Sequence, residues 1–308
     1  MRALRNKDII SILDLSREEI QGILSLTAKL KARLEKKESF SPLAGKTLAM
    51  VFEKPSLRTR VTFEAGMTQL GGHAIFLGAG DINMGVRESV ADTARNLERL
   101  VDGIMARTFS HDVIVGLARE ATIPVINGLT DRFHPCQGLT DCFTIQEKLG
   151  SVAGVKLAFL GDGNNVAHSL INASARLGMN FSIACPSGYE PLPEIVNEAR
   201  AEAESTISVT HDIAEALAGA DVVYTDTWAS MGQEDEAEQR RKAFAPYQLN
   251  SAALELARPG ALVMHCLPAH RGEEITDEVM DGPQSMVFSQ AENRLHTQKA
   301  ILTMLMAD

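Results

Sequence analysis

Residues 47–72 read TLAMVFEKPSLRTRVTFEAGMTQLGG. The first seven, 47–53, hold five apolar residues in a row between Thr47 and Glu53 and read as a strand, and Pro55-Ser56 ends it. Residues 57–70 then carry apolar positions at helical spacing until Gly71-Gly72 stops them. A strand that hands over to a helix within a few residues is the repeating piece of a parallel α/β sheet. The same alternation continues outward. Short β-rich runs recur at 74–77, 103–107 and 124–127, with a helix at about 90–100 before the second of them. Upstream, residues 17–38 set Ile20, Ile23, Leu24, Leu26, Leu30 and Leu34 among charges at helical spacing. Ser16 fits an N-cap there, and Glu19 three residues later completes a capping box.

The pattern restarts near residue 150. Residues 139–149 read as a helix ending at Gly150, and 155–165, VKLAFLGDGNN, as a buried strand and a tight turn before a helix at 166–177. Further strands are expected at 181–185, 222–225 and 262–266, and a last helix at about 291–306. The Gly161-Asp162-Gly163 turn invites a dinucleotide reading, but the third glycine of that fingerprint is absent and Asn164-Asn165 stand in its approach. The expected fold is α/β with two domains, each a parallel sheet with helices on both faces, joined by interdomain helices. Their bounds are expected at 1–148 and 149–288, with 289–308 packing back on the first domain.

The chain has 308 residues, comfortable for two domains, with 45% hydrophobic and 23% charged residues, as in ordinary globular proteins. Its net charge of −10 argues against a nucleic-acid binder. The charge is uneven: residues 1–150 hold 20 basic and 18 acidic residues, and 151–308 hold 10 and 22. No apolar run reaches the roughly 18–20 residues of a membrane span. Residues 1–16 scatter charges and do not read as a signal peptide. Four cysteines without paired spacing suit reduced thiols, and a cytoplasmic protein is expected. The charged run 233–242 reads as a solvated mobile loop.

Chemistry gathers where strands end. A helix N-terminus attracts anions, and Ser56, Thr59, Arg58 and Arg60 add hydroxyls and guanidiniums to the turn after the first strand. The same residues also fit a serine cap followed by surface arginines. Arg107 closes another strand, and His134-Pro135-Cys136-Gln137 lies between a strand and a helix. Taken alone, His134 reads more readily as a structural histidine than as a functional one. Together, PSLRTR, the Arg107 strand end and HPCQ resemble the carbamoyl-phosphate half of the carbamoyltransferases, and the resemblance extends over essentially the whole chain. It implies that Ser56, Leu57, Arg58, Thr59, Arg107, His134, Gln137, Cys266, Leu267 and Arg294 bind carbamoyl phosphate.

In the second half, Asp226-Thr227-Trp228-Ala229-Ser230-Met231-Gly232 and the His265-Cys266-Leu267-Pro268 segment resemble the ornithine-using branch of that family. The aspartate-using branch lacks both patterns. In isolation Cys266 reads as a small buried hydrophobe, and Trp228 and Met231 as packing residues. A zinc reading of His265, Cys266 and His270 has no second ligand cluster behind it. The resemblance implies conversion of carbamoyl phosphate and L-ornithine to L-citrulline and phosphate, as in arginine biosynthesis or the urea cycle, with no metal or organic cofactor. Asn165, Asp226, Ser230, Met231, Cys266 and Leu267 would bind ornithine, with Asn164 an alternative to Asn165. Cys266, Arg107, His134 and Asp226 would be catalytic. It further implies a homotrimer, a contribution from a neighbouring subunit within residues 73–87, and a lid at 231–242. A carbamoyltransferase acting on putrescine or an N-acylated ornithine, and a non-catalytic two-domain ligand-binding protein, are the competing readings.

Overall fold

A computed structural model describes residues 4, 7–82, 84–229 and 234–308, for Glu234 the backbone only. Two compact units divide the chain: Met1–Phe143 with Glu292–Asp308, and Thr144–Ala291. The chain passes from one unit to the other inside two helices, Pro135–Leu149 and Val287–Met306.

The first unit holds β1 (Thr47–Phe52), β2 (His73–Gly78), β3 (Gly103–Arg107) and β4 (Val125–Leu129). They form one parallel sheet in the order β2-β1-β3-β4. Every residue of β3 is buried, as a strand covered on both faces requires. Val51, Ile104, Ala106 and Val125 pack with Ala94 of the helix Val90–Leu97 and with Ile114 and Leu117 of the helix His111–Glu120. The helix Arg17–Glu35 starts with the expected capping box between Ser16 and Glu19.

The second unit holds β5 (Lys156–Leu160), β6 (Asn180–Ala184), β7 (Ile207–Thr210), β8 (Val222–Thr225) and β9 (Leu262–His265). These are also all parallel, in the order β7-β6-β5-β8-β9. The helix Asn165–Leu177 is buried along nearly its whole length and ends at Gly178, whose φ of 71° is the left-handed cap that glycine tolerates best. Phe159 and Tyr224 stack at 5.4 Å within the sheet's core.

The α/β fold of two parallel sheets with helices is the one the sequence leads to. Several segments differ, among them the helices His111–Glu120 and Pro193–Glu202, which the expected pattern lacked. The helix expected from 139 begins at Pro135, because proline at the first helical position loses no hydrogen bond and comes with its φ preset. β7 was not anticipated: four residues, ISVT, carry too little hydrophobic pattern to stand out. The charged run 233–242 is not a loop where it is described. A 3₁₀ turn, Glu234–Glu236, leads into the helix Ala237–Phe244, which buries Arg240 and Phe244. Among the described residues no helix is long and apolar enough to cross a membrane.

In each sheet the strand order reverses direction once, between β1 and β3 and between β5 and β8. The crevice outside the carboxyl ends of such a strand pair is where open α/β sheets bind ligands.

Candidate active site

At the first reversal the chain leaves β1 through Glu53–Pro55 and enters the helix Leu57–Gln69. Ser56 is its N-cap, extended at φ −159°, and its Oγ accepts the Thr59 N–H at 3.3 Å. The remaining N–H groups of the first turn point out of the helix end without intrahelical partners. The Leu57 side chain is 75% exposed, so its backbone is what it can offer an anion. Arg60 does not join the site. It lies two positions from Arg58, about 200° around the helix, pairs with Glu64 at 3.0 Å and stacks on the Phe76 ring at 3.8 Å.

Arg107 closes β3, where the register with β4 shifts between Ala106 and Arg107. Such an irregularity re-aims the side chain that follows it. Arg107 is buried, as are Thr59, His134, Gln137 and Arg294. Arg294, on Val287–Met306, donates from Nη2 to Thr59 Oγ1 at 3.2 Å and from Nη1 to Gln137 Oε1 at 3.0 Å. The Gln137 amide donates onward to Asp141 at 2.7 Å. His134 caps the helix Pro135–Leu149, its carbonyl accepting the N–H groups of Gln137 and Gly138. Burial pushes the His134 pKa well below the usual imidazole range, and Arg294, Arg107, Arg58 and Lys54 push it the same way. At neutral pH the ring is therefore uncharged and still offers an N–H. Lys54 is 8% exposed, and burial and the Arg107 charge pull its pKa down to about 8.

At the second reversal the chemistry has the opposite sign. Asp226 follows β8 and Cys266 follows β9. The Cys266 thiol donates to Asp226 Oδ1 at 2.9 Å, and the Asn164 amide donates to Asp226 Oδ2 at 2.8 Å. Asn164 also caps the helix Asn165–Leu177, its Oδ1 accepting the Val166 and Ala167 N–H groups at 2.9 and 3.1 Å. Both ends of its amide are thus engaged, while Asn165 opens the helix half-exposed. Leu267 has a φ of 61°, in the left-handed region rare for side-chain-bearing residues. Its N–H donates to His265 Nδ1 at 2.9 Å. The His265 proton therefore sits on Nε2, which donates to the fully buried Glu274 at 3.1 Å. Ser230 and Met231 lie outside the described residues.

A buried ion pair frames this site. Arg240 donates to Asp162 at 3.0 Å and to the Trp228 carbonyl at 3.0 Å, with Glu236 3.1 Å from its Nε. Burial raises the Asp162 pKa to about 6 although Arg240 opposes the rise. Donor atoms of Asp226, His265 and Cys266 lie within 4.8 Å of one another, yet both nitrogens of His265 are already committed.

Two domain models of one family together cover most of the chain. Residues 7–147 match the aspartate/ornithine carbamoyltransferase carbamoyl-P binding domain, and 153–305 the Asp/Orn binding domain of the same family. The chain belongs to the aspartate/ornithine carbamoyltransferases. Among its relatives, the ornithine carbamoyltransferase of Anoxybacillus flavithermus is 54% identical over 98% of both chains. The anabolic ornithine carbamoyltransferase of Pyrococcus furiosus is 50% identical, over 99% of this chain and 98% of the relative. The solved structure of an ornithine carbamoyltransferase from Pyrococcus furiosus superimposes with a TM-score of 0.96 over 99% of both chains, at 50% identity.

On this carbamoyltransferase scaffold, direct hydrogen bonds unite Thr59, Gln137 and Arg294 in the first unit. Arg58, Arg107 and His134 join them through their charges or, for His134, the effect of those charges. In the second unit Asp226 and Cys266 meet directly, and Leu267 follows them in the chain. Sequence reasoning passed over Lys54, Asp162, Arg240 and Glu274. Lys54 adjoins the PSLRTR turn, so its position carried a signal. The other three owe their importance to partners 78 residues apart or to complete burial, which no local pattern displays.

Proposed function

We infer that this protein transfers the carbamoyl group of carbamoyl phosphate to the side-chain amine of L-ornithine, yielding L-citrulline and phosphate for arginine biosynthesis. The observation that carries the choice of amine is the Asp226 carboxylate at the second strand reversal, met by the Cys266 thiol and the Asn164 amide. A carboxylate so held suits an alkylammonium, and the identity of 50–54% with ornithine carbamoyltransferases supports the same substrate.

The carbamoyl donor is held by the first unit. Ser56, Leu57, Arg58 and Thr59 supply a helix N-terminus and a guanidinium to the phosphate, and Arg107 and Arg294 add charge. Neutral His134 donates its N–H, and Thr59, whose oxygen accepts from Arg294, keeps its own hydrogen for the carbonyl oxygen. With Arg107 these groups meet the charge that develops there when the amine attacks. Gln137 fixes Arg294 and contacts the carbamoyl end.

The amine is held by the second unit. An alkylammonium has a pKa of about 10.4 and no lone pair at neutral pH. Asp226 pairs with it, and Cys266 relays the proton it must lose. The thiol donates to the carboxylate in the structure, so it can take up a proton only after passing on its own. The departing phosphate is the final base. Asn165, at the start of the helix that follows β5, reads the amino-acid end of ornithine; Ser230, Met231 and Leu267 complete that contact. The reaction needs no metal or organic cofactor.

The working form is a cytoplasmic homotrimer. Four free cysteines support the compartment. The edge strand β2 with exposed Ile75, and exposed Leu57 and Val61 on the helix packed beside it, support an interface between copies. Residues 73–87 are the stretch that would reach a neighbour's phosphate. One assay tests the assignment: carbamoyl phosphate is supplied with ornithine, putrescine or N-acetylornithine, and carbamoylated product is measured. Product with ornithine alone is expected. Product only with another amine would reassign the substrate, and none with any would leave a ligand-binding protein.

A further inference from the structure

Lys54 is a lysine in an unusual place. It sits between β1 and the capping Ser56, at the strand reversal, with only 8% of its surface exposed. Its ammonium lies over the Phe109 ring, 4.8 Å from the centroid. Among the described residues no carboxylate is within ion-pair distance of it. Burial is the largest influence on it; of the charges that face it, Arg107 from β3 repels it, and Asp131 and Glu53 act in the opposite sense. It belongs to the group of cations that holds His134 neutral.

These surroundings favour the free amine. With a pKa of about 8, about a tenth of Lys54 is unprotonated at pH 7, against a few parts in ten thousand for an ordinary lysine. The functional reading above brings an activated carbamoyl group to the same cations. A lysine side chain ends in a primary alkyl amine like that of ornithine, one methylene longer.

Resting on that reading, we propose that Lys54 is a site of self-carbamoylation, taking the carbamoyl group when carbamoyl phosphate is bound and no ornithine is present. The Nζ lone pair attacks the carbonyl carbon. The new C–N bond forms as the C–O bond to phosphate breaks, phosphate leaves with the bonding pair, and one Nζ proton passes to it. The product is a neutral urea on Lys54. Its formation removes a positive charge from the anion site, so the protein loses affinity for the donor in proportion to the modification.

The test incubates the full-length protein with carbamoyl phosphate, without ornithine, and follows each lysine by peptide mass spectrometry. Lys54 is expected to gain a carbamoyl group at least about tenfold faster than the exposed Lys36 and Lys37. The rate should rise with pH toward 8 and fall when saturating inorganic phosphate occupies the site. The Michaelis constant for carbamoyl phosphate should climb in step with the modification, and a Lys54→Arg protein should show no such drift. Modification of Lys54 no faster than that of Lys36 and Lys37 would overturn the proposal. So would an equal rate with cyanate alone, at the concentration that carbamoyl phosphate releases. The same preparation is assayed for citrulline. Citrulline without Lys54 modification defeats only this inference, whereas no citrulline defeats the functional reading beneath it.

Discussion

The two units build their sites at the same topological point and fill them with opposite charge. Outside β1 and β3 lie Lys54, Arg58, Arg107 and Arg294 around a neutral histidine. Outside β5 and β8 lie two carboxylates, Asp226 bonded by a thiol and an amide, and Asp162 paired with Arg240. Strand order decides where a ligand can go, and the few residues after each strand decide which ligand is welcome. Burial acts alike in both places, favouring the uncharged form of three groups: it drives Lys54 and His134 downward and Asp162 upward. The consequences differ. In the cationic site, that shift produces a neutral donor and a reactive amine. In the anionic one it weakens an ion pair that anchors the helix Ala237–Phe244.

The comparison breaks hardest at Arg107. Arg107→Ala is expected to cut citrulline formation by about 100- to 1000-fold with an unchanged circular dichroism spectrum. Near-normal turnover would remove Arg107 from the oxyanion contacts. On the opposite side, Cys266→Ala should lower turnover by about a hundredfold, the low end for proton-transfer residues, because the departing phosphate gives the proton a second destination. The alkaline side of its pH–rate profile should flatten. An unchanged rate and profile would mean that Asp226 or phosphate takes the proton directly.

The smallest effect concerns Asp162. Its pKa in the folded chain, about 6, exceeds the ordinary 3.8, so ionisation is harder in the folded state than in the unfolded one. Its contribution to stability is therefore fully present below about pH 4 and is lost as pH rises through about 6. The melting temperature of the wild type relative to Asp162→Asn should fall by about 5–10 °C between those limits and stay level above them. A constant difference across that range would show that Arg240 outweighs burial.

Much of this was legible in the chain because it depends on neighbours in sequence. Pro55-Ser56 ends a strand and caps a helix through contacts no longer than three residues, and the periodicity of 17–38 needs only its own helix. The anion site could be read for the same reason, since a capped helix start announces itself. Arg240 could not. Among acidic neighbours it looks like any solvated charge, and only the fold brings Asp162 and the Trp228 carbonyl to it. Arg60 misled in the other direction: it shares a motif with Arg58, but helix geometry turns it to Glu64 and Phe76.

The division of the chain has a consequence for synthesis on the ribosome. The second unit is one uninterrupted segment, Thr144–Ala291, whereas the first unit takes its final helix from Glu292–Asp308. At about 5–20 residues per second, roughly 8–30 s separate the translation of Phe143 from that of Arg294. Throughout that interval Thr59 and Gln137 have been made but their guanidinium partner has not. The unit translated first is thus the later of the two to acquire all its parts, and its anion site is completed only after the whole second unit has been made.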